Sequence, residues 1–368
     1  MSQKRKIDKV FASIAIALVL LGFFLFVSAS LGVLAKDKSN FLSVFSTQII
    51  LGLAGGMASL IILSKIYYRE YRKYAFYIFV VALIISCLVF IPNIGIEHGG
   101  AKRWLDIAGV SFQPAEFLKI GFVIYFATLL SAFKLKLHQW KYGIIPIMSL
   151  LFSVAVIAFF QPDYGTLLVI AITALGMILV AGINLKHFFV IIGSALITIV
   201  PLTLIYKSYI LSRLLFFFKP GDSLLGAGYQ IKQSLIAIGS GGIFGKGFGQ
   251  SIQKFGLLPE PMGDSIFAVT AEEWGFIGAT ILTALFLFFA LRGLSIASRS
   301  QDVFGRLLAV GIVILIVSQS FLNIASMLSI FPIIGMPLIF VSQGGTALLF
   351  ALAEVGILLN ISKYKTIQ

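Results

Sequence analysis

A polytopic all-α membrane protein, with about ten transmembrane helices and a large outer loop before the eighth, is the fold class this sequence predicts. Three observations carry it. The 368 residues are 59% hydrophobic with a mean hydropathy of +1.04, so polar surface is too scarce to cover a soluble domain. Apolar runs of bilayer-spanning length recur from one end to the other. The short alternating segments of a β-barrel are not seen.

The runs fall near 10–34, 41–64, 75–93, 114–133, 143–160, 165–182, 187–206, 264–290, 306–327 and 340–361. The fifth to seventh are short and closely joined, which leaves eight or nine spans open. Lysine and arginine set the orientation. With the N-terminus inside, the short inner segments hold 17 and the short outer segments 4, while six more sit in the long segment 207–263. Both termini are therefore expected in the cytoplasm. The basic start "KRKIDK" and the "VLA" before Lys36 could mark a signal peptide, but the apolar stretch between them, about 24 residues, is too long for one.

The net charge of +14 is expected to serve topology and contact with anionic lipid rather than nucleic acid. One cysteine, Cys87, excludes an internal disulfide, and His98, His138 and His187 are too scattered for a histidine metal site. With no soluble domain visible, function is expected in the bilayer or at its outer face, where 94–113 and 207–263 are the substantial segments.

In the first of these, Arg103 and Trp104 put a cation and an amphipathic ring at the interface, after a flexible Gly99–Gly100 turn. "SFQPAEFLK" then starts a helix with Pro114 in its first turn. Glu116 favours the positive N-terminal end, and Lys119, three residues on, can pair with it. Ordinary interfacial anchoring is the competing reading. "QPDYGT", 161–166, reads as a tight outer turn in which Asp163 caps the next helix.

Residues 226–251 suggest a short amphipathic helix lying on the membrane, with Tyr229, Gln233 and Ile236 among its members. "GSGGIFGKGFG" follows, six glycines in eleven residues. Backbone N–H groups around Ser240, Gly241 and Gly242, with Lys246 adding charge, could cradle a phosphate; a flexible linker is the alternative. In "LPEPMGDSIFAVTAEEWG", Asp264 stands at the mouth of the eighth span, where it could cap the helix. Glu272 and Glu273 lie two to three turns further in, where carboxylates are costly and are usually functional or paired. Helical spacing puts Glu273 nearly in line with Asp264, so Glu273 is expected to share its cavity.

Five blocks, in order, resemble the SEDS family of FtsW, RodA and SpoVE: "AKRWLDIAGVSFQPAEFLKI", "QPDYGT", "YQIKQSLIAIGSGGIFGKGFGQS", "LPEPMGDSIFAVTAEEWGFIGA" and "GMPLIFVSQGGTALLFALAEVGILLNIS". Gln343 stands where the family often has an aromatic, and Tyr164 where it often has leucine. The resemblance implies ten transmembrane helices and polymerisation of lipid II, a disaccharide-pentapeptide on undecaprenyl diphosphate, onto a growing glycan strand. It also implies a class B penicillin-binding protein as partner, along with other divisome or elongasome proteins. "VSAS" and "EPMGDSIFA" lean towards the cell-division branch.

That chemistry needs a base for the attacking sugar hydroxyl and cations or N–H groups for the departing diphosphate. An α-linked donor and a β-linked product require one inverting displacement and one base. By resemblance Asp264 is the catalytic aspartate. Glu116 and Lys119 are expected to support it, with Arg103, Lys246 and the glycine loop towards the diphosphate. No metal motif is present, and a divalent cation at the diphosphate is left open. A flippase using the buried charges as a polar path, and a scaffold that only recruits the transpeptidase, are the competing functions.

Overall fold

The structure, a computed structural model, describes residues 6–35, 37–92, 94–98, 101–107, 110–136, 139–184, 186–190, 193 and 226–364. Most of the expected seventh span, the Gly99–Gly100 turn, His138 and the first part of the long outer segment lie outside these.

The chain is a bundle of apolar helices. α1 is Lys9–Leu34, α2 Lys38–Thr47, α3 Gly56–Lys65, α4 Tyr68–Cys87, α5 Pro114–Ala132, α6 Ile145–Phe160 and α7 Tyr164–Ala181. After the gap come α8 Ala227–Gly241, α9 Ile266–Ser298, α10 Val303–Met327 and α11 Gly345–Ser362. A π-helical stretch, Gln48–Gly55, joins α2 to α3, so that Phe41–Lys65 forms one span. Among the described residues, eight helices have the length and composition to cross a membrane, and α6 is a shorter apolar helix beside them. The protein is a multi-pass membrane protein.

Start signals act where the sequence supplies them. Asp8, Asp163 and Asp302 each accept a hydrogen bond from the backbone N–H three residues on, capping α1, α7 and α10. Pro114 opens α5. Gly182 ends α7 in the left-handed conformation at φ 82°. The centre of the bundle is α5, α10 and α11, which are buried along most of their length, as their unbroken apolar faces require.

The start of α1 and the end of α11 meet at one end of the bundle. The Asp8 N–H donates to Ser362 Oγ at 3.0 Å, and the Asp8 carboxylate takes a two-pronged bond from Arg292 at 3.0 and 2.9 Å. Nearby, Asp302 accepts from Arg69 Nε (2.6 Å) and Tyr68 Oη (2.9 Å), while Asn360 accepts from the Tyr68 N–H and donates to Ser64 O. At 1.5 Å per residue, Ser28 and Asn323 lie about 30 Å from this end, one hydrocarbon thickness away.

At the opposite end the chain forms a small sheet. β1 (Gly95–His98), β2 (Ala101–Ile107) and β3 (Val110–Phe112) make an antiparallel meander, with Ile96 opposite Trp104 and Leu105 opposite Phe112. The sequence reading took this segment as a turn with interfacial anchors. Strands this short, beside apolar runs several times longer, leave little period-2 signal.

Candidate active site

Asp264 sits in a backbone held from outside itself. Three successive carbonyls are each bound by a different donor: Met262 O by the Gln343 N–H (2.7 Å), Gly263 O by Ser342 Oγ (2.7 Å) and Asp264 O by Asn323 Nδ2 (2.8 Å). Ser342 also accepts from the Leu338 N–H (2.8 Å), and Gln48 accepts from the Gly344 N–H (3.0 Å), so 335–344 is itself fixed. The donor at 343 is backbone, which is why glutamine there in place of an aromatic leaves this anchor intact. Ser265, not Asp264, takes the N-cap position of α9, and its hydroxyl receives Gln230 Nε2 at 2.9 Å. The half-buried Asp264 side chain borders a narrow cleft shared with Asn323, Ser326, Met327 and the 333–336 segment.

A polar chain runs from α5 to this cleft. Glu116 and Lys119 pair at 2.8 Å, both buried, as their spacing predicts. Lys119 Nζ also donates to Gln319 Oε1 (2.6 Å), and Gln319 Nε2 donates to Pro337 O (3.1 Å). The neighbouring carbonyl, Met336 O, accepts from Asn323 Nδ2 at 2.8 Å. Gln319 and Asn323 are one turn apart on α10. Glu116 thus connects to the Asp264 backbone through Lys119, Gln319, the 336–337 backbone and Asn323. Buried Glu354 of α11 adds a second carboxyl that interacts electrostatically with Lys119 and Glu116.

The glycine loop does something other than the sequence suggests. α9 is broken at Gly275, whose φ of 65° and ψ of −164° lie where a side chain is disfavoured. The break exposes carbonyls on one side and N–H groups on the other, and the loop takes up both. The N–H groups of Lys246 and Gly247 donate to Glu272 O (3.0 Å) and Glu273 O (2.9 Å). The carbonyls of Gly242 and Ile243 accept from Phe276 (2.9 Å) and Ile277 (3.2 Å). A Cβ on Gly241 would strike Ala271 O, and one on Gly245 would strike Glu273 O, so glycine permits the approach.

The two glutamates complete the lock. Glu272, fully buried, accepts from Lys246 Nζ (2.7 Å), Ser251 Oγ (2.5 Å), Ser240 Oγ (3.3 Å) and the N–H groups of Ile252 (3.2 Å) and Gln253 (3.3 Å). Glu273 accepts from Lys254 Nζ (2.6 Å), Ser28 Oγ of α1 (2.5 Å) and the Ser251 N–H (3.4 Å). The expected phosphate cradle around Ser240, Gly241, Gly242 and Lys246 is therefore corrected, because these loop groups are engaged with the broken helix. Glu273 is likewise turned to Ser28 and Lys254 rather than into a cavity with Asp264.

The remaining expectations divide. Arg103, on β2, donates to Gln161 O (3.1 Å) and to Pro162 O, so it staples the sheet to the α6–α7 turn. Trp104 is half-buried opposite Ile96. Asp163 caps α7 through the Thr166 N–H (3.2 Å) and hydroxyl (2.8 Å), as turn chemistry predicts. α8 is amphipathic: its buried face of Ile231, Ser234, Ala237 and Gly241 rests on α9, while Leu235 and Ile236 are exposed. Gln233 is half-buried there, and it is Gln230 that reaches Ser265. The sequence reading missed Ser28, Ser251, Lys254, Gln319 and Asn323. For Gln319 and Asn323 a signal existed: amides deep in an apolar run require partners. Among the described residues, no three His, Cys, Asp or Glu side chains converge as a metal site would need.

Fold and site together define a multi-pass membrane protein built round a buried polar network that ends at the anchored backbone of an aspartate. The chain belongs to the FtsW/RodA/SpoVE family, whose model, described as "Cell cycle protein", matches residues 8–367. It is 35% identical over 363 residues to stage V sporulation protein E of Bacillus subtilis, covering 99% of each chain. It is 38% identical over 359 residues to the "probable peptidoglycan glycosyltransferase FtsW" of Geobacter sulfurreducens, covering 96% of this chain and 95% of that one. The fold is similar to a chain from a structure described as "Structural coordination of polymerization and crosslinking by a peptidoglycan synthase complex", with a TM-score of 0.78 at 24% identity over 98% of this chain and 99% of that one. Rod shape determining protein RodA of Thermus thermophilus gives a TM-score of 0.70 at 23% identity over 98% of each chain.

Proposed function

We propose that this protein is an inverting peptidoglycan glycosyltransferase that polymerises lipid II at the outer face of the cytoplasmic membrane, in septal wall synthesis during division. The observation that carries the reading is the anchoring of Asp264: three carbonyls in a row are held, and a buried charged chain ends on the third. A carboxylate carried on a backbone fixed in this way at a helix mouth suits the role of a preorganised base. Family membership supplies the reaction class, and relatives such as the Geobacter protein carry that activity in their names.

In this scheme Asp264 takes the proton of the acceptor sugar hydroxyl. That oxygen bonds to the anomeric carbon of the donor, and the carbon–oxygen bond to the diphosphate breaks on the opposite face. The diphosphate leaves with the electron pair. Arg103, part-exposed, is the candidate cation for it, acting from a position where it also holds the sheet to the α6–α7 turn. A class B penicillin-binding protein would receive the strand and cross-link it. Both termini would be cytoplasmic, a reading supported by the Asp8–Ser362 contact and the lysine and arginine distribution.

The experiment is polymerisation of lipid II by purified protein in detergent, where no leaflets exist. Polymer from the wild type and none from Asp264→Asn is the expected result. Near-normal polymer from Asp264→Asn would remove the base assignment. Absence of polymer from wild type, even with its transpeptidase present, would favour a flippase.

A further inference from the structure

Asn323 carries an acceptor that none of the described residues uses. Its side chain is 2% exposed, and its Nδ2 donates to two carbonyls, Asp264 O and Met336 O, both at 2.8 Å. Carbonyls only accept, so the two bonds fix which end of the amide is nitrogen. The other end, Oδ1, is buried without a hydrogen-bond partner among the described residues. Buried polar atoms are rarely left so, and an orphan at a proposed active site calls for a ligand group. The residue borders the same cleft as Asp264.

The cleft's other groups narrow the chemistry. Met327, Ile333, Ile334 and Met336 give it apolar walls. Ser326 directs its hydroxyl hydrogen to Leu322 O (2.8 Å) and Pro332 O (3.0 Å). Both N–H groups of Asn323 are engaged. The cleft therefore offers an acceptor beside apolar surface, with these side-chain donors already taken. A sugar hydroxyl would want both a donor and an acceptor. A secondary amide N–H needs only the acceptor, and an acetamido group adds a methyl for the apolar wall.

We propose that Asn323 Oδ1 recognises the acetamido N–H of an N-acetylated sugar held against Asp264, while Nδ2 of the same side chain positions the Asp264 backbone. The inference rests on the proposed glycosyltransferase reading and names the substrate group its site selects. The acetamido group belongs either to the donor sugar or to the acceptor sugar.

The test is binding, in purified Asp264→Asn protein that holds substrate unreacted. Three ligands are compared: lipid II, and two analogues in which an ester oxygen replaces the acetamido N–H on one sugar or the other. An ester keeps the methyl and the carbonyl and removes only the donor. One analogue is expected to bind about tenfold more weakly than lipid II, and which one it is names the sugar. Adding Asn323→Ala should bring that ratio close to one. Equal binding of all three ligands with Asn323 intact overturns the proposal, whether or not Asn323→Ala folds. So does a ratio that survives Asn323→Ala. Because the readout is affinity, selective binding by this variant alongside a wild type that makes no polymer would defeat the glycosyltransferase reading and leave this recognition standing.

Discussion

At the scale of single residues, the Glu116–Lys119 pair shows how a charge can be kept in an apolar bundle. Lys119 is 1% exposed and has two partners, one a carboxylate and one an amide that passes the contact on to 336–337. Removing either charge leaves the other buried and uncompensated, at a cost of about 3–5 kcal/mol. Glu116→Ala and Lys119→Ala should each lower polymerisation strongly while the protein still inserts. The double variant should be less impaired than the two losses summed, because the residues share one network. Rates for the two singles and the double decide it. Strictly additive losses would show that the residues act apart and would move Lys119 towards direct contact with the diphosphate. Gln319→Leu should share part of the defect, since it cuts the chain between Lys119 and Pro337 without adding a charge.

At the scale of elements, α9 is two helical pieces joined at Gly275 and bridged by the glycine loop. Four backbone bonds across the break replace those a continuous helix would have made, as irregular backbone inside a membrane protein requires. Gly275→Ala should destabilise by about 1–3 kcal/mol, from the disfavoured φ and from collision with the loop backbone, read as a lower thermal midpoint in detergent. Glu273 and Lys254 form the best-buried pair in the lock, with side chains 1% and 0% exposed. Glu273→Gln and Lys254→Met should each lower the midpoint, and the double variant should recover part of the loss, since no charge is then stranded. A double variant as unstable as the sum would mean the two residues hold the loop through separate contacts.

At the scale of the whole molecule, Asp8 and Ser362 meet at one end and Asp264 lies towards the other, which is the arrangement an even number of spans gives. In a background with Cys87 replaced, a cysteine at Glu260 should react with an impermeant reagent from outside only, and one at Ser298 from the cytoplasm only. Labelling of both from one side would overturn the topology. Nine of the ten expected apolar runs appear among the described residues as helices, because an unbroken run of this length in lipid has only one way to satisfy its backbone.

What the sequence determined by itself was therefore whatever depends on composition and on neighbours along the chain. That covers the membrane class, the spans, the Asp163 cap, the Glu116–Lys119 pair three residues apart, and the family motifs that lead to Asp264. What only the tertiary structure decided was which distant groups meet. Ser28 and Glu273 are 245 positions apart, and Lys119 and Gln319 are 200 apart. The glycine loop shows the physical reason most directly. Its sequence supplies flexible backbone and free N–H groups, and these suit a phosphate or a broken helix equally well. Gly275 breaks α9 beside the loop, and unsatisfied carbonyls in an apolar bundle are too costly to leave exposed, so the loop's donors go to Glu272 and Glu273.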